Sequence, residues 1–549
     1  MQDFPCYLSF EGESVREPLL AAAKKAELIK DLQQMLPPGS PEPQDSTIIA
    51  IVKTLTTAMI QAYKSEGKLQ DDPLAESRER KIHLYGTEVR NQLKGKVVLI
   101  TGGEGCVGSH LLNKVKEVGA QRVVSVDNAR CHDSTPGTLI DERAVFYAAD
   151  IRDYETLKGI FEAEKPAIVF HLAAQRLPGL AEIKIRDTIT TNIFGTQNVI
   201  QMCEMFGVER CIFSSTGKAS RYFTTEVYAA SKKVAEWQFA RAAQEGKVIY
   251  GAVRFTHIVE NSIVSEEIDE KIKRGIVSFH APNRFILGQN ISEAVHLLLN
   301  AVVLSSPIHL KLLAVRNLGW PIDTLEIALF KIVRSEKSIP LYFKGLPPGY
   351  DEPFFYGQFN PSSRTEVNPL INALEDLLRT SDLSGDMVVT QVSPFSSSTL
   401  INQLSVLQTL AADPDFPEAQ LKKALARTAK EVTRSIFVQA PPEQVLQILK
   451  WGVNPKRLKF EGISIEAHQE IAGLLVQSLY GRLNQTNLGG VEKIRPSLDE
   501  LVEVLAGLPG SDEEVAYLRA VSRNLLHSRL ASGVELVGVG ANTNGRLLG

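Results

Sequence analysis

Cysteine is scarce in this sequence, and its positions carry no metal or disulfide pattern. The chain has five cysteines among 549 residues, and their spacing shows no C-x-x-C pair and no Cys/His arrangement typical of zinc. A disulfide-stapled extracellular scaffold and a structural zinc site are therefore excluded, and no metal site is predicted. The reducing cytoplasm is the compartment that this cysteine usage favours.

Long apolar runs and an excess of positive charge are also missing. No stretch approaches about 18 consecutive apolar residues, so no membrane span is predicted. The first residues are acidic and aromatic rather than basic before an apolar block, which disfavours a secretory leader. The formal net charge is -4, so we expect neither nucleic acid nor an anionic membrane surface as a partner. The motifs described below predict a small-molecule substrate as the partner.

The residues that are present predict several domains. A length of 549 residues with 44% hydrophobic and 23% charged residues suffices for more than one core. Helical periodicity on both sides of the proline-rich stretch 37–43 predicts a helical N-terminal extension over 1–94. Further helical patterns towards the end predict a linker over 371–395 and an α-helical C-terminal domain over 396–549.

Between these segments, short β-branched runs alternate with longer helical patterns. Crossover helices between such strands require a mostly parallel sheet covered on both faces, so we predict a doubly wound α/β (Rossmann) domain over 95–370. Its last part, from about residue 305, is expected to line a substrate cleft or to cover the sheet as a loop. The predicted strands are 97–100, 122–126, 144–148, 167–170, 210–213 and 248–253.

A glycine turn follows the first predicted strand and opens the next helical pattern. Gly102, Gly105 and Gly108 lack a Cβ, so backbone N–H groups and the helix N-terminus can close on a diphosphate. A second strand ends at Asp127, about 20 residues further on, where a dinucleotide site places an acid against the adenosine ribose. Asp127 favours NAD, whereas Arg130 is placed to meet a 2′-phosphate, so NADP stays open.

A tyrosine and a lysine carry the predicted chemistry. Tyr228 and Lys232 are four residues apart on one helix face, so both can point at the same bound molecule. A lysine beside a tyrosine favours the phenolate, and a cationic nicotinamide adds to this effect. We therefore predict that Tyr228 is an acid/base working near neutral pH.

An ordered series of motifs makes residues 94–300, and more weakly the stretch to about 370, resemble the extended short-chain dehydrogenase/reductases. The sequence resembles in particular the bacterial polysaccharide-biosynthesis branch, which includes nucleotide-sugar 4,6-dehydratases and epimerases. The motifs are the glycine turn 101–108, Asp127, Ala149–Ile151, His171–Ala174, Thr191–Thr196, Ser214–Thr216, and Tyr228 with Lys232.

This resemblance implies an NAD- or NADP-dependent enzyme that acts on a nucleotide sugar, by oxidation or reduction coupled to epimerisation or dehydration. It implies that Tyr228 and Lys232 serve hydride transfer. It also implies that Thr216 hydrogen-bonds the substrate, that Asp150 contacts adenine, and that the chain forms a homo-oligomer. The cofactor-binding residues implied by the motif positions are Gly102, Gly105, Cys106, Val107, Gly108, Asp127, Asn128, Arg130, Asp150, Ile151, Leu172, Ala173, Ala174 and Asn192.

The sequence departs from this branch directly after Thr216. Family dehydratases carry an aspartate there that protonates the leaving hydroxyl, whereas Gly217 cannot donate a proton. Loss of a general acid costs about 10²–10⁴-fold in rate, so the sequence does not support a full dehydratase unless Lys218 or Glu226 takes over. The basic Arg-Pro-Gly-Glu-Lys segment of the family is also not found within 320–370.

Two other functions stay open at this point. One is an oxidoreductase of the same chemistry that acts on a non-sugar carbonyl or alcohol in a biosynthetic pathway, which the altered diphosphate segment allows. The other is a non-catalytic cofactor-binding scaffold whose helical C-terminal region is an interaction module. The joint presence of Tyr228 and Lys232 argues against the scaffold.

Overall fold

The strands form in the short runs rich in β-branched residues, because such residues fit a pleated sheet better than a helix. The structure is a computed structural model and describes residues 13–128, 138–261, 263–350, 352–361, 366–483, 495–508 and 510–531. The strands are β1 (Val97–Thr101), β2 (Arg122–Asp127), β3 (Thr138–Asp141), β4 (Ala144–Ala148), β5 (Ile168–His171), β6 (Arg210–Thr216), β7 (Ile249–Phe255), β8 (His257–Ile258), β9 (Val277–Phe279), β10 (Phe285–Ile286), β11 (Gly288–Gln289), β12 (Lys311–Val315), β13 (Ile322–Asp323), β14 (Leu341–Phe343), β15 (Thr380–Ser381) and β16 (Met387–Gln391).

Helices connect these strands and extend the chain on both sides. They are α1 (Glu13–Met35), α2 (Ser46–Ser65), α3 (Ala75–Glu79), α4 (Gly86–Leu93), α5 (Cys106–Glu117), α6 (Tyr154–Glu164), α7 (Pro178–Ile183), α8 (Ile185–Ile189), α9 (Thr196–Met205), α10 (Val227–Glu245), α11 (Ile263–Arg274), α12 (Ile291–Leu304), α13 (Thr324–Arg334), α14 (Ala373–Asp376), α15 (Ser397–Ala412), α16 (Glu418–Gln439), α17 (Pro442–Gly452), α18 (Pro455–Glu461), α19 (Gln469–Ser478), α20 (Arg495–Leu505) and α21 (Asp512–Ala531). A π-helical turn, Thr190–Gly195, joins α8 to α9.

The main sheet confirms the predicted doubly wound α/β fold. In the described part of the chain it has ten strands in the order β15-β16-β12-β7-β6-β5-β1-β2-β4-β3. The seven strands that lie between β12 and β4 in this order, both included, run parallel. The pairs β3–β4, β12–β16 and β15–β16 are antiparallel. The chain passes from β1 to one side for β2 and to the other side for β5, so the carboxyl ends of β1 and β5 flank a topological switch point, where such sheets bind ligands.

The six predicted strands correspond to β1, β2, β4, β5, β6 and β7, with ends that differ by at most three residues. The stretch 371–395, predicted as a linker, contributes β16, which pairs with β12 at the edge of the main sheet. A single run of five residues between polar stretches is too short to distinguish a strand from a loop by its pattern.

The N-terminal helices pack on a small subdomain that is built from later parts of the chain. Val52, Met59 and Tyr63 of α2 are buried in a cluster with residues of α11, α13, β9 and β14. The Tyr63 hydroxyl donates to Asp323 Oδ2 over 2.5 Å. The Thr56 hydroxyl accepts from the backbone N–H of Leu341 over 2.9 Å. Helices α1 and α2 of the N-terminal extension are therefore part of the subdomain that contains β9 and β14, whereas Val89 and Leu93 of α4 are buried in the cluster of the main sheet.

Contact density divides the chain into two compact units. The first comprises residues 1–352 and 365–433 and holds the main sheet with α1 to α15 and most of α16; the second comprises residues 353–364 and 434–549. The second unit is helical, with α17 to α21 burying residues such as Leu446, Leu475 and Leu518. The boundaries at 94, 370 and 395 stay a prediction.

Candidate active site

The glycine turn at the end of β1 packs tightly against other backbone atoms. Gly102 has φ +75°, which favours glycine, and a Cβ on it would lie 2.7 Å from Ala173 N. A Cβ on Gly108 would lie 2.1 Å from Gly102 O, and one on Gly105 would lie 3.1 Å from the same oxygen. The turn therefore leaves the start of α5 free of side-chain bulk, which fits the diphosphate of a dinucleotide.

Replacing Gly108 with alanine is expected to weaken the turn. Its Cβ would meet main-chain atoms of Gly102 and Gly103, so we expect the free energy of unfolding to fall by about 1–3 kcal/mol and the Kd for NAD(P) to rise. Gly159→Ala in α6 is the matched control, because nothing lies within 4 Å of its Cβ and alanine is the better helix former. Urea unfolding and cofactor titration measure both effects; an unchanged Kd for Gly108→Ala would contradict the assignment of the turn.

The acids after β2 and β4 lie beside this turn. Asp127 Oδ2 accepts from the backbone N–H of Glu104 over 3.2 Å, which ties the end of β2 to the turn. Asn128 Nδ2 donates to Asp150 Oδ2 over 2.9 Å. Burial acts to raise the pKa of Asp150, but hydrogen bonds from Arg152 hold it below its usual value. Arg130 lies outside the described residues.

The carboxyl ends of β1 and β5 are joined by a buried histidine. His171 Nδ1 lies 2.7 Å from Thr101 Oγ1, and its Nε2 lies 2.9 Å from Thr196 Oγ1. Burial lowers the pKa of His171 to about 3, so it is neutral at physiological pH. His171 thus holds β5 between β1 and α9, while the following segment, Leu172–Ala174, lies against Gly102.

Two residues predicted to bind the cofactor make contacts with other residues of the protein. Asn192 is 1% exposed; its Oδ1 accepts from Gln175 N–H over 2.8 Å, and its Nδ2 donates to Ser231 Oγ over 3.0 Å. Ile151 is buried and packs against Gly195. A Cβ added to Gly195 would lie 2.7 Å from Ile151 Cδ1. In this structure Asn192 connects the segment after β5 to α10. Cys106 and Val107, half-buried at the start of α5, pack against the apolar cluster beneath it.

Tyr228 and Lys232 lie near the start of α10, which follows the carboxyl end of β6. The backbone N–H of Val227 donates to Glu182 Oε1 over 2.7 Å, and Lys422 Nζ in α16 donates to Glu182 Oε2 over 2.6 Å. The start of α10 is therefore held by α7 and, through Glu182, by α16. Lys232 is 3% exposed, and its Nζ lies 4.1 Å from the centroid of the Phe213 ring.

Burial is the largest influence on the pKa of Tyr228 in the protein without cofactor. Burial raises it to about 12, although a hydrogen bond from Thr216 and the charge of Arg176 act to lower it. Burial also lowers the pKa of Lys232 to about 7, so this amine is only partly protonated near neutral pH and supplies less positive charge than an exposed lysine. In the protein alone, Tyr228 is a neutral phenol with a proton to donate.

Replacing Lys232 with methionine is expected to stabilise the protein at pH 7 while lowering turnover. The unfolded amine has a pKa near 10.5 and the folded one about 7, so the unfolded chain binds more protons between these values and stability rises with pH across that window. Removing the amine should add about 1–2 kcal/mol at pH 7 and flatten the rise towards pH 10. Urea unfolding at several pH values checks this, with the exposed Lys337→Met as control. Lower stability of Lys232→Met at pH 7 would contradict it.

Lys218, the candidate stand-in for the missing acid, is engaged by neighbouring groups. Its Nζ donates to Glu226 Oε2 over 2.6 Å and to the carbonyl oxygen of Gly349 over 2.9 Å. The same Nζ lies 5.0 Å from the centroid of the Tyr350 ring. Burial lowers the pKa of Lys218, although Glu226 acts to raise it. Lys218 therefore connects the loop around Gly349 to the end of β6.

Leucine fills the space beside Gly217. A Cβ on Gly217 would lie 2.4 Å from Leu370 Cδ2 and 3.6 Å from the carbonyl oxygen of Phe255. Leu370 is 3% exposed, and its own carbonyl oxygen accepts from Arg254 Nη1 over 2.7 Å. An aspartate at 217 would require Leu370 to move.

Sequence reasoning missed Glu182 and Tyr350 as neighbours of Tyr228. Glu182 stands in a short helix without a motif, and its bond to Val227 depends on how α7 packs on α10. The aromatic stretch around Tyr350 was expected to line a substrate cleft or to cover the sheet as a loop. Among the described residues, no group of three or more His, Cys, Asp or Glu side chains is placed to hold a metal ion.

Comparison with known proteins agrees with this geometry. The family described as "Polysaccharide biosynthesis protein" matches residues 98–350. The probable polysaccharide biosynthesis protein EpsC of Bacillus subtilis is 25% identical over 312 residues, which cover 54% of this chain and 50% of EpsC. A UDP-N-acetylglucosamine 4,6-dehydratase (inverting) of Campylobacter jejuni is 30% identical over 181 residues, 30% of this chain and 49% of that protein. The chain thus spans about half the length of these relatives.

Residues 98–350, the Rossmann part of the chain, are therefore similar to this polysaccharide-biosynthesis family and to a nucleotide-sugar dehydratase. Among solved structures, Pen from Bacillus thuringiensis is 20% identical with a TM-score of 0.45, over 55% of this chain and 88% of that one. None of the helices within the described ranges is long and apolar enough to cross a membrane.

Proposed function

We propose that the Rossmann part of this chain binds NAD or NADP and catalyses oxidation or reduction at a carbon of a nucleotide sugar, with Tyr228 as the acid/base. The observation that carries the proposal is the placement of Tyr228 and Lys232 at the carboxyl edge of the sheet that also bears the glycine turn. The curated relatives, named for polysaccharide biosynthesis and for a UDP-sugar dehydratase, support the substrate class.

The residues around the Tyr228 phenol determine how the proton is transferred. A bound nicotinamide dinucleotide supplies the acceptor or donor of the hydride. In reduction, Tyr228 gives its proton to the oxygen of the carbonyl; in oxidation, its deprotonated oxygen takes the proton of the substrate hydroxyl. The Thr216 hydroxyl, which hydrogen-bonds the phenol, orients that oxygen. A phenol has a pKa of about 10, and burial raises that of Tyr228 further, so in the protein alone the phenol carries the proton that reduction requires.

Elimination of water is not part of the proposed reaction. It requires an acid at the departing oxygen, and Gly217 supplies none. Leu370 takes the adjacent space, and Lys218 is held between Glu226 and the Gly349 carbonyl. We therefore propose epimerisation or simple reduction rather than 4,6-dehydration. Homo-oligomerisation and a cytoplasmic location stay predictions of the sequence.

Incubation with nucleotide sugars tests this proposal. Purified protein is titrated with NAD(H) and NADP(H), then mixed with UDP- and dTDP-sugars, and the products are separated by chromatography and weighed by mass spectrometry. We expect cofactor binding and a product of unchanged mass or one differing by two hydrogens. Loss of one water would contradict the absence of elimination. Turnover of a non-sugar carbonyl with no response to any nucleotide sugar would overturn the substrate class.

A further inference from the structure

The helix that carries Tyr228 takes its N-terminal cap from another helix. Glu226 precedes the first residue of α10, and its side chain makes no capping hydrogen bond. The backbone N–H of Val227 donates instead to Glu182 Oε1 of α7, over 2.7 Å. A carboxylate stabilises a helix N-terminus because it accepts from a free backbone N–H and is attracted by the helix dipole. Glu182 therefore caps α10 at the residue that precedes Tyr228.

A lysine from outside residues 98–350 holds this cap. Lys422 Nζ of α16 donates to Glu182 Oε2 over 2.6 Å, so one carboxylate oxygen binds α10 and the other binds α16. The side chain of Glu182 is only 4% exposed, and a carboxylate shielded from water depends strongly on its cation. Without Lys422, this carboxylate would be better solvated if it turned away from Val227.

Arg186 of α8 fixes the connection between α15 and α16 to the same region. Its guanidinium donates to the carbonyl oxygen of Phe416 over 2.6 Å and to that of Ala411 in the last turn of α15. Its backbone N–H donates to Glu418 Oε2, in the first turn of α16, over 2.8 Å. Cationic side chains commonly bind the last carbonyls of a helix in this way. The pair α15–α16 is thus held on α7 and α8 by two separate clusters.

α10 itself is covered on all sides. Every residue from 229 to 240 is buried, so these three turns of the helix have no face towards solvent. The Trp237 ring lies 6.3 Å from that of Phe395, which immediately precedes α15. Since α10 is packed in this way, its first turn lies where Glu182 and its neighbours hold it.

We propose that Glu182 and Lys422 are positioning residues for Tyr228, so that α16 is part of the active site although it lies outside residues 98–350. The inference rests on the proposed function, because it takes Tyr228 as the acid/base. Glu182 sets where α10 begins, and Lys422 sets where the carboxylate of Glu182 lies. A misplacement of about 1 Å can cost about 10²-fold in rate, so a small shift of the first turn of α10 is enough to affect turnover.

Glu182 also borders the loop that carries Tyr350. A Cβ on Gly349 would lie 3.1 Å from Glu182 Cγ, and the backbone N–H of Gly179 in α7 donates to the Tyr350 hydroxyl. This loop was expected to line a substrate cleft or to cover the sheet. Loss of the Glu182 side chain should therefore disturb both Tyr228 and the loop, whereas loss of the Lys422 amine should act mainly on Tyr228.

Steady-state kinetics of the full chain tests the role of Lys422. We expect Lys422→Met to lower kcat by about 2–30-fold, the usual range for a residue that acts through others, with KM and the Kd for NAD(H) unchanged. Lys422→Arg keeps the cation and should recover most of the rate. Lys423→Met, at the exposed neighbouring position of α16, is the matched control. Equal losses in Lys422→Met and Lys422→Arg would assign the effect to packing and overturn the role of the charge.

A double variant shows whether Lys422 acts through Glu182. Glu182→Ala removes the carboxylate and should lower kcat and also raise KM. Adding Lys422→Met to Glu182→Ala should then change kcat by less than about 2-fold, because two residues that act in series are not additive. Fully additive losses would overturn the proposed connection.

Amide hydrogen exchange separates this inference from the proposed function. The Val227 N–H should exchange faster in Lys422→Met and in Glu182→Ala, while the amides of β6 keep their wild-type protection. Wild-type turnover that Lys422→Met retains in full overturns the inference and leaves the proposed function intact. Absence of turnover in the wild type overturns the proposed function; faster exchange at Val227 in Lys422→Met then still supports Lys422 as the residue that holds the start of α10, and unchanged exchange overturns it.

Discussion

Replacing Tyr228 with phenylalanine is expected to lower turnover by about 10²–10⁴-fold, the usual contribution of a positioned acid/base. Phenylalanine keeps the ring in its place at the start of α10 and removes only the hydroxyl that Thr216 contacts. We therefore expect the Kd for NAD(H) and the melting temperature to stay close to wild type. Steady-state rates, cofactor titration and thermal unfolding measure the three quantities.

Tyr350→Phe is the control for this variant. Its ring also lies near the site, 5.0 Å from Lys218 Nζ, but its hydroxyl has no role in the proposed proton transfer. We expect it to retain most of the turnover. Wild-type turnover in Tyr228→Phe would place the proton transfer on another group, and equal losses in both variants would indicate a defect in substrate binding instead.

Replacing Arg254 with leucine is expected to destabilise the protein by about 3–5 kcal/mol, because it leaves buried charges without a partner. Arg254 is 1% exposed. Its guanidinium donates to Glu236 over 2.8 and 2.7 Å and to Glu375 over 2.6 and 2.8 Å. Glu236 Oε1 also accepts from Ser215 Oγ over 2.6 Å. The two carboxylates would have to be protonated or hydrated in the variant, and urea unfolding at pH 7 measures the loss.

Two further variants show whether the effect arises from buried charge. Arg241→Leu breaks an exposed ion pair with Glu245, four residues along α10, and should change the stability by less than about 1 kcal/mol. Adding Glu236→Gln and Glu375→Gln to Arg254→Leu removes the unpaired charges and should recover part of the loss. A loss for Arg254→Leu no larger than that for Arg241→Leu would contradict the description of this cluster.

The sheet, the glycine turn and the Tyr228 helix could be predicted from the sequence because their signals are local. Strands and helices differ in the period of their apolar residues, and this period is visible within about 11–18 residues. The spacing from Gly102 to Gly108 and the spacing of four positions from Tyr228 to Lys232 are equally short-range. The structure places all four at the same edge of the sheet, as the parallel topology requires.

Contacts between distant residues could not be predicted in this way. Leu370 beside Gly217, and Arg254 with Glu375, meet only after the fold has formed, and nothing in either segment marks the other. The burial of Tyr228 and Lys232 could not be predicted for a related reason. The four-residue spacing showed that an amine stands one helical turn away, but it did not show that burial would raise the pKa of the phenol and lower the pKa of the amine.

The packing of α2 on β14 has a consequence for synthesis on the ribosome. Thr56 bonds to Leu341, 285 residues later in the chain, so the apolar side of α2 with Val52 and Met59 emerges long before its docking surface exists. Contacts of such sequence separation form slowly, and exposed apolar surface favours aggregation in the meantime. The native contacts of α2 with β14 therefore form only after the ribosome has translated residues 341–343.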